Sequence, residues 1–197
     1  MVQPDCYGNL IITEKYMRKV ATIVTLLALV LSGGKALAFE PDVTDKMELD
    51  VARAILDIKT KDPGIQKFFD DSAGYAVFPS VGKGGIIIGG AFGRGLVIVN
   101  ERVDGFASLS QGTIGFQLGG QKYSQFIFFK DQVSVDNFKR GNFEFSAQAS
   151  AVAITAGASV DANYDAGVAV FTIAQGGLMF EGTIGGQRFS YAPKLAD

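Results

Sequence analysis

Two glycine-rich segments set a cation among bare backbone: Gly82-Lys83-Gly84-Gly85, and Gly89-Gly90-Ala91-Phe92-Gly93-Arg94-Gly95. Glycines beside a lysine suggest a phosphate cradle, because backbone N–H groups and an ammonium together suit an anion. The known phosphate loops need more than that. Neither segment has the G-x-x-x-x-G-K-[ST] spacing, and neither fits G-x-G-x-x-G opening a helix. The sequence that follows is β-forming, so no helix N-terminus is supplied. Two readings remain. The glycines make tight turns around a Gly-rich strand, or they leave a passage where a lipid chain or headgroup can approach the backbone. In the second reading Lys83 and Arg94 are the headgroup contacts, and Gly84, Gly85, Gly89, Gly90 and Phe92 line the approach.

The remaining chemistry is sparse. The chain has no histidine, and its one cysteine is Cys6. No Ser-His or Cys-His pair can form, and neither imidazole nor thiolate is present in the domain to hold zinc. A Ser-Lys or carboxylate pair is compatible with the composition, but no spacing marks one. Asp161, Asn163 and Asp165 alternate as calcium ligands do. They lack the glycine and the final glutamate of a calcium loop, so they read as a solvated loop. The expectation is a non-catalytic protein with no metal and no cofactor.

The elements that must carry these residues are mostly strands. Met47, Val51, Ala54, Ile55 and Ile58 fall on one face of a first helix, capped by Asp42 or Thr44. Asp62-Pro63 starts a short second helix that ends near Ser72 and Gly74. From Tyr75 the pattern turns to β. The expected strands are 75–78, 85–92, 96–100, 106–110, 113–118 and 123–129, with Asp104-Gly105 as a hairpin signal. Asp131 caps a helix that Gly141 ends. Further strands are expected at 143–148, 151–156, 168–174, 178–184 and 187–191, with 157–167 a loop. Phe126-Ile127-Phe128-Phe129 reads most simply as a strand buried on both faces, and the same run would suit an acyl pocket. Gly112-Thr-Ile-Gly followed by Gly120-Gln-Lys-Tyr-Ser is echoed by Gly182-Thr-Ile-Gly followed by Gly186-Gln-Arg-Phe-Ser. Two hairpins of one kind would explain the echo.

Arg18 and Lys19, an apolar run from Val20 to Leu31, and Ala36-Leu37-Ala38 have the layout of a signal peptide. Residues 1–16 fit no part of one, so Met17 is the more natural start. Cleavage after Ala38 leaves one domain, 39–197, with 14 basic and 18 acidic residues. A net acidic chain without a polybasic run argues against nucleic acid as a partner. It also argues against membrane attachment by charge alone, so lipid binding needs a pocket or an apolar face.

Several ordered motifs resemble the SYLF domain family. Gly74-Tyr-Ala-Val-Phe-Pro-Ser-Val-Gly-Lys-Gly-Gly and Gly89-Gly-Ala-Phe-Gly-Arg-Gly resemble its opening, and Gly115-Phe-Gln-Leu-Gly-Gly-Gln its middle. Phe138-Lys-Arg-Gly-Asn-Phe, Ala147-Gln-Ala-Ser-Ala-Val-Ala and Gly176-Gly-Leu-Met-Phe-Glu-Gly resemble its later part. The resemblance implies a lipid-binding module, here of the exported bacterial branch. Eukaryotic members bind phosphoinositides and act in actin regulation at membranes. This chain departs from them at Gln175, where they tend to carry lysine, and in its acidic first helix. Actin regulation does not transfer to an exported bacterial protein.

The expected fold is α+β and β-rich: N-terminal helices packed on a strongly curved antiparallel sheet, with closure into a barrel one way to remove its edges. The expected function is binding of a phospholipid or other amphipathic ligand, in the periplasm or cell envelope, with a membrane surface as partner. The alternatives are an envelope structural or protein-interaction module without lipid, and a small outer-membrane barrel. The leading helices and the Pro193–Asp197 tail count against the barrel.

Overall fold

The computed structural model describes residues 39–195, except 86–87, 142–143, 146–150 and 185. The expected leader, the Met17 start and most of the expected 143–148 strand lie outside the described residues. Helix α1 (Lys46–Lys61) buries Val51, Ala54, Ile55 and Ile58, the stripe read from the sequence. Its cap is Asp45, not Asp42 or Thr44. Asp45 Oδ1 accepts from the N–H groups of Met47 (2.7 Å) and Glu48 (3.1 Å). Asp42 instead folds its carboxylate onto the Thr44 N–H one turn earlier. Asp62 caps a 3-10 turn (Pro63–Ile65) that runs into α2 (Gln66–Asp71). Asp131 caps α3 (Gln132–Lys139), and Gly141, at φ +70°, ends it.

The strands are β1 (Gly74–Gly85), β2 (Ile88–Val99), β3 (Arg102–Phe129), β4 (Glu144–Phe145), β5 (Val152–Ala153), β6 (Val168–Ile184) and β7 (Gln187–Pro193). They form one seven-stranded mixed sheet, antiparallel except where β5 meets β6. Strand β3 organises it. Its first half pairs with β2, from Arg102↔Val99 to Ile114↔Ile88. Its second half pairs with β1, from Gly119↔Gly85 to Phe129↔Gly74. Thus β3 encloses the β1–β2 hairpin, and β6 and β7 follow the outer edge of β3 around the same bend. The fold class agrees with the sequence reading. The sheet is not closed into a barrel; it ends on the short strand β5.

Several expected boundaries are corrected. The 168–174 and 178–184 segments are one strand, β6, and of 151–156 only Val152–Ala153 is strand. The 85–92 strand is two strands, because Gly85 ends β1 and Ile88 begins β2. The segments 106–110, 113–118 and 123–129 are one strand: Gly112, Gly119 and Gly120 lie within its bend and do not mark turns. The β2–β3 turn is at Asn100-Glu101, both at positive φ (50° and 64°), and not at Asp104-Gly105. Gly105 is needed for close approach instead. A Cβ there would sit 2.5 Å from Ala192 O and from the Tyr191 ring.

The sheet is buried on both faces at its helical end. On the outer face, α1, α2 and the 158–164 loop cover Tyr75, Val77, Leu96, Ile98, Phe126, Phe128 and Phe171. Inside the curl, Ala76, Phe78, Val97, Leu109, Ile127, Phe129 and Phe189 pack with Phe138 of α3. Phe126 to Phe129 alternate between these two cores and are all fully buried, which explains their unbroken apolar run.

Candidate functional site

The inner face changes character towards the glycine-rich end. In register across the sheet lie Gln187 (β7), Gln111 (first half of β3), Ala91 (β2), Lys83 (β1) and Gln121 (second half of β3). Residues opposite one another across a strand pair share a face, so this is one polar row interrupted by alanine. Next to it, Gln125 and Gln187 exchange amide hydrogen bonds, Nε2 to Oε1 at 2.9 and 3.2 Å. Their strands are separated by the first half of β3, by β2 and by β1. The contact is therefore made through the interior, and it measures how far the sheet curls. Gln125 is 1% exposed, so its amide has little access to water, and the reciprocal pair satisfies it.

These residues surround an open cleft of about 420 Å³, within the usual range for small-molecule sites. Its lining mixes polar side chains, Lys83, Gln111, Gln121, Gln125, Gln187, Thr155 and Thr172, with Tyr123, Ala151, Ala153, Ile154 and Ala174. Lys83 is the sole charged residue among the described lining. Amides donate and accept, and an ammonium donates, so the polar lining groups suit a head that is anionic and hydrogen-bonding. The apolar ones suit alkyl carbon.

Of the residues expected from sequence, Lys83 lines the cleft. Gly84 and Gly85 pair with Gly90 and Gly89 at the end of the β1–β2 hairpin. Phe92 and Arg94 lie on the opposite face, since Ala91 and Leu96 mark the two faces of β2 and no bulge intervenes on that strand. The Arg94 guanidinium sits 5.9 Å from the centre of the Phe92 ring. Lys83 and Arg94 therefore do not form one site. Gln175, the departure from the eukaryotic pattern, donates to Pro79 O (2.7 Å) and Ser124 Oγ (2.6 Å), tying β6 to the bulge in β1.

Sequence reasoning missed the glutamines. The signal lay in the echo: Gly120-Gln-Lys-Tyr-Ser and Gly186-Gln-Arg-Phe-Ser place Gln121 and Tyr123, and Gln187 and Phe189, on the inner face alike. The copies are not two hairpins. They lie in adjacent antiparallel segments that cross at Ile114↔Ile184. Asp161, Asn163 and Asp165 stand in the loop before β6, and no group of metal-binding side chains is found among the described residues.

No family model matches the chain. Over 138 residues it is 28% identical to Beta cell expansion factor A of Aeromonas veronii, a distant relative. The match covers 69% of this chain and 52% of that protein, so the chain spans about half the length of the relative. Among the described residues no helix is long and apolar enough to cross a membrane.

Proposed function

We propose that this is a non-catalytic, SYLF-like module that binds an amphipathic ligand, a phospholipid or fatty acid, with the anionic head at Lys83. The observation that carries the reading is the mixed lining of the cleft: one ammonium, four glutamine amides and two threonines, interspersed with alanine, isoleucine and tyrosine carbon. A ligand with a charged head and an alkyl body can use both kinds of lining group, whereas a purely polar one leaves the apolar groups without a partner. The ordered sequence motifs support the family placement, and the leader supports work outside the cytoplasm, in the periplasm or envelope. A volume of about 420 Å³ holds a headgroup with part of a chain, so the rest of the lipid would extend from the open side.

The test is native mass spectrometry of the protein purified after export, followed by titration with a fluorescent fatty acid and a short-chain phospholipid. A bound lipid mass, and binding weakened about tenfold or more by Lys83→Gln, is the expected result, from loss of one charge-assisted hydrogen bond. A clean apo mass with no binding of either probe refutes the reading and favours a protein-interaction role.

A further inference from the structure

Phe39 lies ahead of the first helix, yet it is a core residue. It is 7% exposed and belongs to the outer core with Val51, Ala54, Ile55 and Ile58 of α1. The chain behind it follows a fixed path. Pro41 restricts Glu40 to extended backbone. The Asp42 carboxylate accepts from the Thr44 N–H and hydroxyl, and the Asp42 N–H donates to Glu48 on α1. Glu48 is held in turn by Lys194, just beyond β7. Only Glu40 and Pro41 separate this anchored turn from the buried ring.

The backbone at Phe39 is unfavourable in one specific way. Its φ is +28°. Positive φ brings the carbonyl of the preceding residue against the Cβ, which is why residues other than glycine avoid it. Here that carbonyl belongs to Ala38. A chain that begins at Phe39 carries no carbonyl on that nitrogen, so the same placement of the ring is free of the clash. The bond in question is also the one at which Ala36-Leu37-Ala38 places the expected leader cut. A protease acts on a bond whose flanks are accessible. With Phe39 buried, the residue after the bond is not, so a cut there must precede docking of the ring.

We infer that the Ala38–Phe39 bond is the processing site of this protein, and that the cut lets Phe39 seat without strain as the terminal plug of the outer core. Water adds across the bond: Ala38 leaves with a carboxylate and Phe39 keeps an ammonium. That ammonium arises among acids, since Glu40, Asp42, Asp45 and Glu48 lie between positions 40 and 48 against Lys46 alone. Before the cut, the outer core either lacks this ring or holds it with the clash. The precursor is therefore less stable than its product, and leader removal completes the domain. The inference concerns assembly of the domain and does not rest on the lipid reading.

The test has two parts. The protein is exported from the full reading frame, and its intact mass and N-terminal sequence are read; the expected first residue is Phe39. Ala38–Asp197 make one compact unit of their own, so the energetic part is read on the domain. Two chains, each released from a tag that leaves no extra residue, begin at Ala36 and at Phe39. The Phe39 chain is expected to melt roughly 3–10 °C above the Ala36 chain. Phe39→Ala has no ring to seat, so its two lengths should melt within about 1 °C of each other. Phe39→Leu keeps an apolar plug and should keep most of the gap. An exported protein that begins elsewhere, equal melting of the two wild-type lengths, or a gap that F39A leaves undiminished overturns the inference.

Discussion

Replacing Asp62 by alanine tests how the N-terminal helices are held to the loop that precedes β6. The Asp62 side chain is buried and holds two segments at once. Oδ1 accepts from the Gly64 N–H at 3.1 Å, capping the turn that leads into α2. Oδ2 accepts from the Ser159 N–H at 2.7 Å, 97 residues away in sequence. Losing the cap costs about 1 kcal/mol. Leaving the buried Ser159 N–H without an acceptor costs roughly 1–3 kcal/mol more. The sum, about 2–4 kcal/mol, corresponds to a fall in Tm of roughly 5–15 °C for a domain of this size. Differential scanning calorimetry measures it. Asp62→Asn keeps one acceptor oxygen and should lose about half as much. The pH dependence is a second readout. Burial pushes the Asp62 carboxyl up, but the hydrogen bonds from Ser159, Gly64 and Gly157 together outweigh it and hold the pKa below its ordinary 3.8. A carboxyl depressed in the folded state stabilises fully above its unfolded pKa, and that stabilisation disappears as pH falls through the folded value. The wild type should therefore lose stability below 3.8 more steeply than D62N. A D62A protein melting within about 1 °C of wild type, or a D62N protein keeping the full acid slope, would refute the argument.

Two further predictions concern packing and the chain's end. Gly95→Ala should lose about 3 kcal/mol or more by urea denaturation, because the new Cβ would run into the Val77 carbonyl oxygen. Gly82→Ala, with open space around it, should be neutral or more stable by about 0.5 kcal/mol. Glu48 on α1 is buried and accepts from the Asp42 N–H (2.7 Å) and from Lys194 Nζ (3.0 Å) just beyond β7. Glu48→Ala should cost about 2–3 kcal/mol, since the backbone donor is stranded. Lys194→Ala should cost under about 1 kcal/mol, because the lysine is half exposed and can hydrate.

The helices were legible because their signals are local. Asp62-Pro63, Asp131 and Gly141 act within one turn of themselves, and the α1 stripe repeats every 3.6 residues. The Phe126–Phe129 run was legible because burial on both faces leaves no alternation to read. The bend of β3 was not. Gly112, Gly119 and Gly120 look like turn residues in sequence, and only the pairing of one strand with β1, β2, β6 and β7 keeps them in a strand. The site was half legible for the same reason. Lys83 stood out among its glycines, but Arg94 was assigned to the same site because both lie in glycine-rich sequence. The parity of β2, fixed by Ala91 inside and Leu96 outside, separates them. The glutamines look like surface residues until the curl brings Gln125 to Gln187, 62 residues apart.

The enclosure of the β1–β2 hairpin by β3, and of β3 by β6 and β7, sets an order of events for the growing chain. Pairs such as Ser108 and Ser190 join residues 82 positions apart. Such contacts are slow to form, since loop closure must precede any gain from pairing. Until residues 168–193 are available, the outer edge of β3 is a long row of unpaired backbone groups, a ready template for pairing with another chain. A truncation before Val168 should therefore leave a species that associates through that edge and does not simply fold to a smaller domain. Any factor that keeps the nascent protein extended until its last strands arrive would protect it during this interval.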